Sequence, residues 1–332
     1  MNNEDDILKA VNLKTTKKRI ISLLLTIPML FTIGCSKNNK INQSEENLEG
    51  KINIYTSIYP LYDFTKKVGG DKVNVTNLVP AGTEPHDWEI STSDIVNLEK
   101  ADMLIYNGAG IENWTDKVKN TLENKDIVYV KTSENLELHK VDESHSHDHD
   151  HEEDEHDHGI YDPHTWLSIE NAQKEMENIK DALVKYDPEN ADYYESNFKT
   201  YENKFEELEE KYSKKLDPIE NKTIIVAHEA FGYLCEEYDI KQEGIEGLTP
   251  DSEPDPARMT EIIKFAKEHN VKTIFFEELV SPKVAETIAK EINANTEVLN
   301  PLEGLSEEQI KNGEDYFSIM EKNLEAIYNS LK

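Results

Sequence analysis

Residues 262–299 read IIKFAKEHNVKTIFFEELVSPKVAETIAKEINANTEVL. The run Thr273-Ile274-Phe275-Phe276 holds no charge and no polar alternation, and segments of helical period, Ile262 to His269 and Lys283 to Ile292, flank it. Glu297-Val298-Leu299 opens the next strand. A nearly continuous apolar strand is covered on both faces, which is the situation of a parallel sheet with helices packed above and below it. Working outward, Thr223-Ile224-Ile225-Val226 belongs to the same series. An earlier series repeats the pattern at Ile52-Asn53-Ile54-Tyr55, Val73-Asn74-Val75, Met103-Leu104-Ile105-Tyr106 and Ile127-Val128-Tyr129-Val130. The expected fold class is therefore α/β, two lobes each with a mainly parallel sheet flanked by helices.

Between the two series the sequence is helical. Ser168 is placed to cap a helix with the stripe Ile169, Ala172, Met176, Ile179, Leu183 and Tyr186, and Asp187-Pro188 starts another. From Ala191 to Leu216 the apolar residues recur at intervals of three and four, so one helix over 188–215 is predicted, about 28 residues and roughly 42 Å long. That length suits either a coiled-coil arm or a strut between lobes, and the immediate return of α/β sequence favours the strut. The division expected is an N-terminal lobe over 51–167, a helical connector over 168–217 and a C-terminal lobe over 218–332.

The 332 residues exceed one ordinary domain, and 68 acidic against 36 basic residues give a formal charge of −32. Such a surface repels phosphate backbones, so no nucleic-acid partner is expected, whereas a cation is attracted. Two cysteines, Cys35 and Cys235, exclude a disulfide-stapled fold and a thiolate zinc cluster. Lys17, Lys18 and Arg19 precede the uncharged run Ile20 to Ile33, which is shorter than a spanning helix and has the order of an export signal. Thr32-Ile33-Gly34-Cys35-Ser36 resembles a lipobox, with Thr32 where Leu is usual; this predicts a signal peptide over 1–35, lipidation at Cys35 and a disordered polar tether over 36–50. Cys235 is expected to be a packed thiol.

Histidine is distributed unevenly: seven of the eleven lie between His139 and His158. Of the remaining four, His269 ends a helix, where a ring satisfies carbonyl groups or faces water. His86, His164 and His228 instead lie in loops beyond strands or before a helix. In open α/β sheets that is where ligands bind.

The chain resembles the zinc-binding lipoproteins of bacterial ABC importers, the metal-specific solute-binding proteins of the ZnuA/AdcA type. The motifs that carry the resemblance are Glu84-Pro85-His86-Asp87-Trp88-Glu89, Tyr106-Asn107-Gly108-Ala109-Gly110, Asp162-Pro163-His164-Thr165-Trp166, Ala227-His228-Glu229-Ala230-Phe231-Gly232-Tyr233, and Glu277-Glu278 through Ala289. It implies a metal-type periplasmic-binding fold with a long rigid linking helix. It also implies a Zn²⁺ site of His86, His164, His228 and Glu303, at intervals of 78, 64 and 75 residues. The fourth position stays open between Glu303, nearby Glu84 and water. Three imidazoles and a carboxylate suit zinc, and manganese relatives with two carboxylates are the alternative. Asp162 and Glu229 are candidates to orient an imidazole from behind, with solvated or capping roles equally open to them. Zinc affinity is expected to drop below about pH 6, where imidazoles protonate.

His145, His147, His149, His151, His156 and His158 alternate with Asp and Glu in a stretch that cannot form a core, and a weak, secondary zinc-collecting role is expected there. The implied partners are an ABC permease and, through Cys35, the outer face of the cytoplasmic membrane; a monomer is expected. A zinc hydrolase is disfavoured because His228-Glu229-Ala230-Phe231-Gly232 lacks the second His of the zincin helix motif, so no enzyme activity is expected. Adhesion is a further reading for which no residue identifies a partner.

Overall fold

The computed structural model describes residues 50–123, 125–141, 161–248 and 254–332. The signal segment, the tether, Cys35 and the six histidines from His145 to His158 lie outside the described residues.

Two four-stranded sheets are present among them, each wholly parallel. The first has the order β2-β1-β3-β4, formed by β1 (Ile52–Thr56), β2 (Val73–Asn77), β3 (Met103–Tyr106) and β4 (Val128–Lys131). The second has the order β6-β5-β7-β8, formed by β5 (Thr223–Val226), β6 (Lys241–Gly244), β7 (Thr273–Phe276) and β8 (Asn295–Val298). In each sheet the chain moves first to one side of its opening strand and then to the other. The strand pairs β1/β3 and β5/β7 therefore flank a reversal of winding, outside whose carboxyl ends ligands bind in open α/β sheets.

The helices are α1 (Tyr59–Gly69), α2 (Thr92–Leu98), α3 (Thr115–Thr121), α4 (Ile169–Tyr186), α5 (Ala191–Leu216), α6 (Gly232–Glu237), α7 (Pro256–Glu268), α8 (Lys283–Ile292), α9 (Glu307–Lys311) and α10 (Tyr316–Ser330). Strand side chains alternate between faces, and the two faces feed different cores. Ile54, Met103 and Ile105 of the first sheet, with Ile224, Val226 and Phe275 of the second, enter one central core shared with α1, α4, α5 and α10. Leu104 points outward to Leu98, Trp114 and Val118, while Ile225 and Ile274 point outward to Ile262 and Ile288.

The long helix begins at Ala191, after a single 3₁₀ turn at Pro188–Asn190, and runs 26 residues, about 39 Å. Phe205 and Tyr212 are fully buried along it. Asn197 Nδ2 donates to the Val68 carbonyl at the end of α1 at 2.9 Å, and Tyr212 Oη donates to the Met320 carbonyl of α10 at 2.7 Å. The helix is thus bonded to elements belonging to both sheets. A second tie runs through Trp166, whose Nε1 donates to the Pro301 carbonyl while its own carbonyl accepts from Tyr316 Oη, both at 2.8 Å. Strand β6, of sequence Lys-Gln-Glu-Gly, and helix α10 were not expected from the sequence.

Candidate metal centre

Four side chains converge from four loops beyond strand ends. His228 follows β5 by two residues and Glu277 follows β7 directly, so the two stand at the reversal point of the second sheet. Glu303 lies beyond β8, after Leu302, whose φ of +58° is unfavourable for a branched side chain. Asn300 Oδ1 accepts from the Leu302 N–H at 2.7 Å and holds that conformation. His164 precedes the 3₁₀ turn Thr165–Leu167, and His86 stands in the irregular stretch between β2 and α2.

The ring atoms that meet are Nε2 in all three histidines. His86 and His164 Nε2 are 3.2 Å apart and His164 and His228 Nε2 are 3.4 Å apart. Glu303 Oε1 lies 3.3 Å from His86, 3.0 Å from His164 and 3.3 Å from His228. Four donors about 2.0–2.1 Å from a central Zn²⁺ would form a tetrahedron with edges of about 3.3 Å. The five distances therefore match the edges of a zinc-sized polyhedron. His164, His228 and Glu303 are buried, and His86 shows only a 5% exposed side chain.

Two carboxylates set the tautomers. Asp162 Oδ1 accepts from His164 Nδ1 at 2.7 Å and from the His164 backbone N–H at 2.9 Å, while Glu277 Oε1 pairs with His228 Nδ1. With the proton held on Nδ1, each Nε2 presents its lone pair to the centre. Asp162 was one of the expected orienting residues. Glu229, the other, is not: its Oε1 accepts from the Gly244 N–H at 3.3 Å, on β6, and Glu277 takes the role next to His228. Glu277 follows β7 directly and His228 follows β5 by two residues, and the pairing of β5 with β7 is what brings them together.

The charges fit a cation. Burial alone would lower the His164 and His228 pKa values, yet Asp162 and Glu303 at the first, and Glu277 and Glu303 at the second, raise both above the ordinary imidazole value. Burial would raise Glu303, but three imidazole bonds hold it well below the usual carboxylate range. Glu84 groups with Glu277 and Glu303 rather than with the three imidazoles. Burial and the neighbouring Glu303 charge push it up to about 9, so it is a neutral acid at pH 7 in the ion-free site. Glu303, not Glu84, is the carboxylate that meets the histidines.

Other expectations fall away from this centre. His269 caps α7, stacks on Phe265 at 4.1 Å and faces solvent. Cys235 is a free, buried thiol in the central core, raised by burial. His139, the one described member of the His-rich stretch, pairs with Glu236 and stacks on Tyr233 at 4.0 Å. Beside it Lys140 and Tyr161 form an antiparallel bridge, and the Asp162 N–H donates to the His139 carbonyl at 2.9 Å. The two ends of the stretch that carries His145 to His158 are therefore fastened together next to Asp162. Among the described residues no helix is long and apolar enough to cross a membrane.

Comparison with known proteins points to zinc-uptake proteins. The profile of the family described as "Zinc-uptake complex component A periplasmic" matches residues 54–330. The chain is 42% identical over 314 residues to the high-affinity zinc uptake system protein ZnuA of Bacillus subtilis, covering 95% of this chain and 98% of that protein. It is 39% identical over 310 residues to the zinc-binding lipoprotein AdcA of Streptococcus pneumoniae, covering 93% of this chain but only 60% of that longer protein. The crystal structure of the Zn(II)-bound ZnuA-like domain of that AdcA superposes with a TM-score of 0.73 at 38% identity, covering 85% of this chain and 99% of that one. The chain belongs to the family of the zinc-uptake complex component A.

Proposed function

We propose that this protein is the extracytoplasmic zinc-binding subunit of an ABC importer, and that it holds one Zn²⁺ between its two sheets with His86, His164, His228 and Glu303. The observation that carries this reading is the meeting of three Nε2 atoms and Glu303 Oε1 at 3.0–3.4 Å in a buried centre. Borderline-soft Zn²⁺ favours three imidazoles and one carboxylate, whereas Mn²⁺ prefers oxygen-rich sites. The ion is cargo. Four protein donors close its coordination shell, so no position stays open for the activated water that a hydrolase needs.

Capture exchanges protons for the ion. The raised imidazoles of His164 and His228 lose any proton they carry as zinc binds, and Asp162 and Glu277 keep the rings aligned. Bonds from α5 to both halves and the Trp166 ties resist a wide hinge opening, so loading and release proceed by local motion of the loop that bears His86. Export and lipidation at Cys35 hold the protein at the outer face of the membrane, beside the permease that receives the ion. The histidines from His145 to His158 gather zinc weakly. Competition of the intact protein against a chromophoric zinc chelator tests the assignment. The parent is expected to retain one tightly held ion that His228→Ala loses; equal retention by both would show that the ion sits elsewhere.

A further inference from the structure

His164 sits on a segment without long regular structure, yet residues 162–168 are all buried, and their polar groups need partners. Asn107, fully buried just beyond β3, supplies two of them. Its Nδ2 donates to the Pro163 carbonyl at 2.8 Å and its Oδ1 accepts from Thr165 Oγ1 at 3.0 Å. One side chain thus grips the residues immediately before and after His164. Pro163 offers only an acceptor here, which fixes which end of the Asn107 amide faces it.

Asn107 is itself held. Glu112, also buried, accepts from the Asn107 N–H at 2.8 Å, the Gly108 N–H at 2.8 Å and Ser57 Oγ at 2.6 Å. Ser57 and Asn107 follow β1 and β3, so one carboxylate clamps both strand ends at the reversal point of the first sheet. On the far side Thr165 Oγ1 also lies 2.5 Å from Glu175 Oε1. A hydroxyl has one proton, so if Thr165 donates to Asn107 then Glu175 must be the donor to Thr165. Glu175 is fully buried and raised to about 8 by that burial, which keeps it a neutral acid able to donate. The chain of contacts Glu112, Asn107, Thr165, Glu175 closes without an unmatched proton.

We propose that Asn107 is a positioning residue of the zinc site, fixing through Pro163 and Thr165 the backbone from which His164 Nε2 points at the ion. The inference rests on the zinc-binding role proposed above. Asp162 sets the rotation of the ring; Asn107 sets where the ring is mounted. Removal of such supports lowers metal affinity by about 10–100-fold with every ligand retained.

The test compares the full protein with Asn107→Leu, Thr165→Val and a control, Val118→Ala. The control destabilises the same half through the outer core and touches none of these residues. Each is titrated with zinc against a chelator that leaves weaker sites empty, and each is loaded with Co²⁺ to record its ligand-field absorption. Asn107→Leu and Thr165→Val are expected to lose about 10–100-fold in zinc affinity and to shift the cobalt band, while Val118→Ala alters neither. If Asn107→Leu fails to fold, Thr165→Val, which removes one hydroxyl, carries the result alone. Folded variants with the parental affinity and band would overturn the inference. So would an affinity loss with an unchanged band that Val118→Ala reproduces. A parent protein that retains no zinc would contradict the proposed function itself, and the inference with it.

Discussion

The loop that brings His86 and the segment that brings His164 deliver the same atom to the same point in opposite ways. Residues 162–168 are buried throughout, and His164 is fastened by Asp162 at ring and backbone and by Asn107 on both sides. Around His86, residues 80–82, Asp87 and Glu89 are exposed. That loop is fixed by a few backbone bonds such as Gly82 N–H to the Leu305 carbonyl at 3.0 Å. Among the described residues, the only hydrogen bonds to the His86 ring are those its Nε2 makes inside the centre. A transport protein must bind tightly and still let go. On the zinc site proposed above, the difference gives tight, preorganised binding to His164, His228 and Glu303 and release to His86, whose ring has the fewest supports.

The strongest way to break this contrast is to remove the ligands one at a time. A quarter share of the ~16 kcal/mol that zinc sites can reach is about 4 kcal/mol, or roughly three orders of magnitude in affinity. His164→Ala is expected to lose about that much and His86→Ala clearly less, with most of each loss in the dissociation rate. Stopped-flow transfer of zinc to a chelator reads the dissociation rates; a faster off-rate for His86→Ala than for His164→Ala would reverse the assignment.

Next in size are the supports. Glu277→Gln and Asp162→Asn are expected to weaken zinc by about 10–100-fold through loss of ring orientation, whereas Glu229→Gln leaves affinity unchanged. Calorimetric titration of the three variants separates these, and a large effect at Glu229 would restore the role its sequence position suggested.

Proton competition gives a further test. Because the His164 and His228 pKa values are raised in the ion-free site, zinc binding is fully expressed at pH values above them and is lost as pH falls through them. The decline should therefore begin above the ordinary imidazole value of about 6.5 rather than near 6, the onset expected from the sequence. Asp162→Asn and Glu277→Gln should move the decline to lower pH. Affinity measured across pH 5.5 to 8 checks the sign, and a profile that the two substitutions leave in place would contradict it. The smallest expected effect is on overall shape: scattering from zinc-free and zinc-loaded protein should give the same radius of gyration within error, and a large contraction would show that the halves close as rigid bodies.

The sequence made the buried strands readable because both faces of each are covered, leaving runs such as Thr223-Ile224-Ile225-Val226 without polar interruption. Strand β6 escaped notice for the converse reason: Lys241, Gln242 and Glu243 lie on a sheet edge and keep contact with solvent, so their composition is that of a loop. The long helix was visible in its apolar period, and only its first turn differs, where Pro188 starts a 3₁₀ turn. At the centre, His86, His164 and His228 were conspicuous as rare residue types beyond strands. Glu277 and Asn107 were not, since their roles depend on which strands lie side by side. β5 pairs with β7 and β1 with β3, contacts that residue spacing does not encode. Glu229 adjoins His228 along the chain but accepts from the Gly244 N–H instead, so of the roles its position leaves open the orienting one is not taken.

X-ray absorption at the zinc edge of the protein lacking residues 145–158 tests the central claim most directly, because it reports ligand type, number and distance at one ion. Three imidazole nitrogens and one carboxylate oxygen at about 2.0–2.1 Å, in a four-coordinate shell, are the predicted result. A shell with fewer than three imidazoles, or a six-coordinate one rich in oxygen, would contradict the assignment of His86, His164, His228 and Glu303.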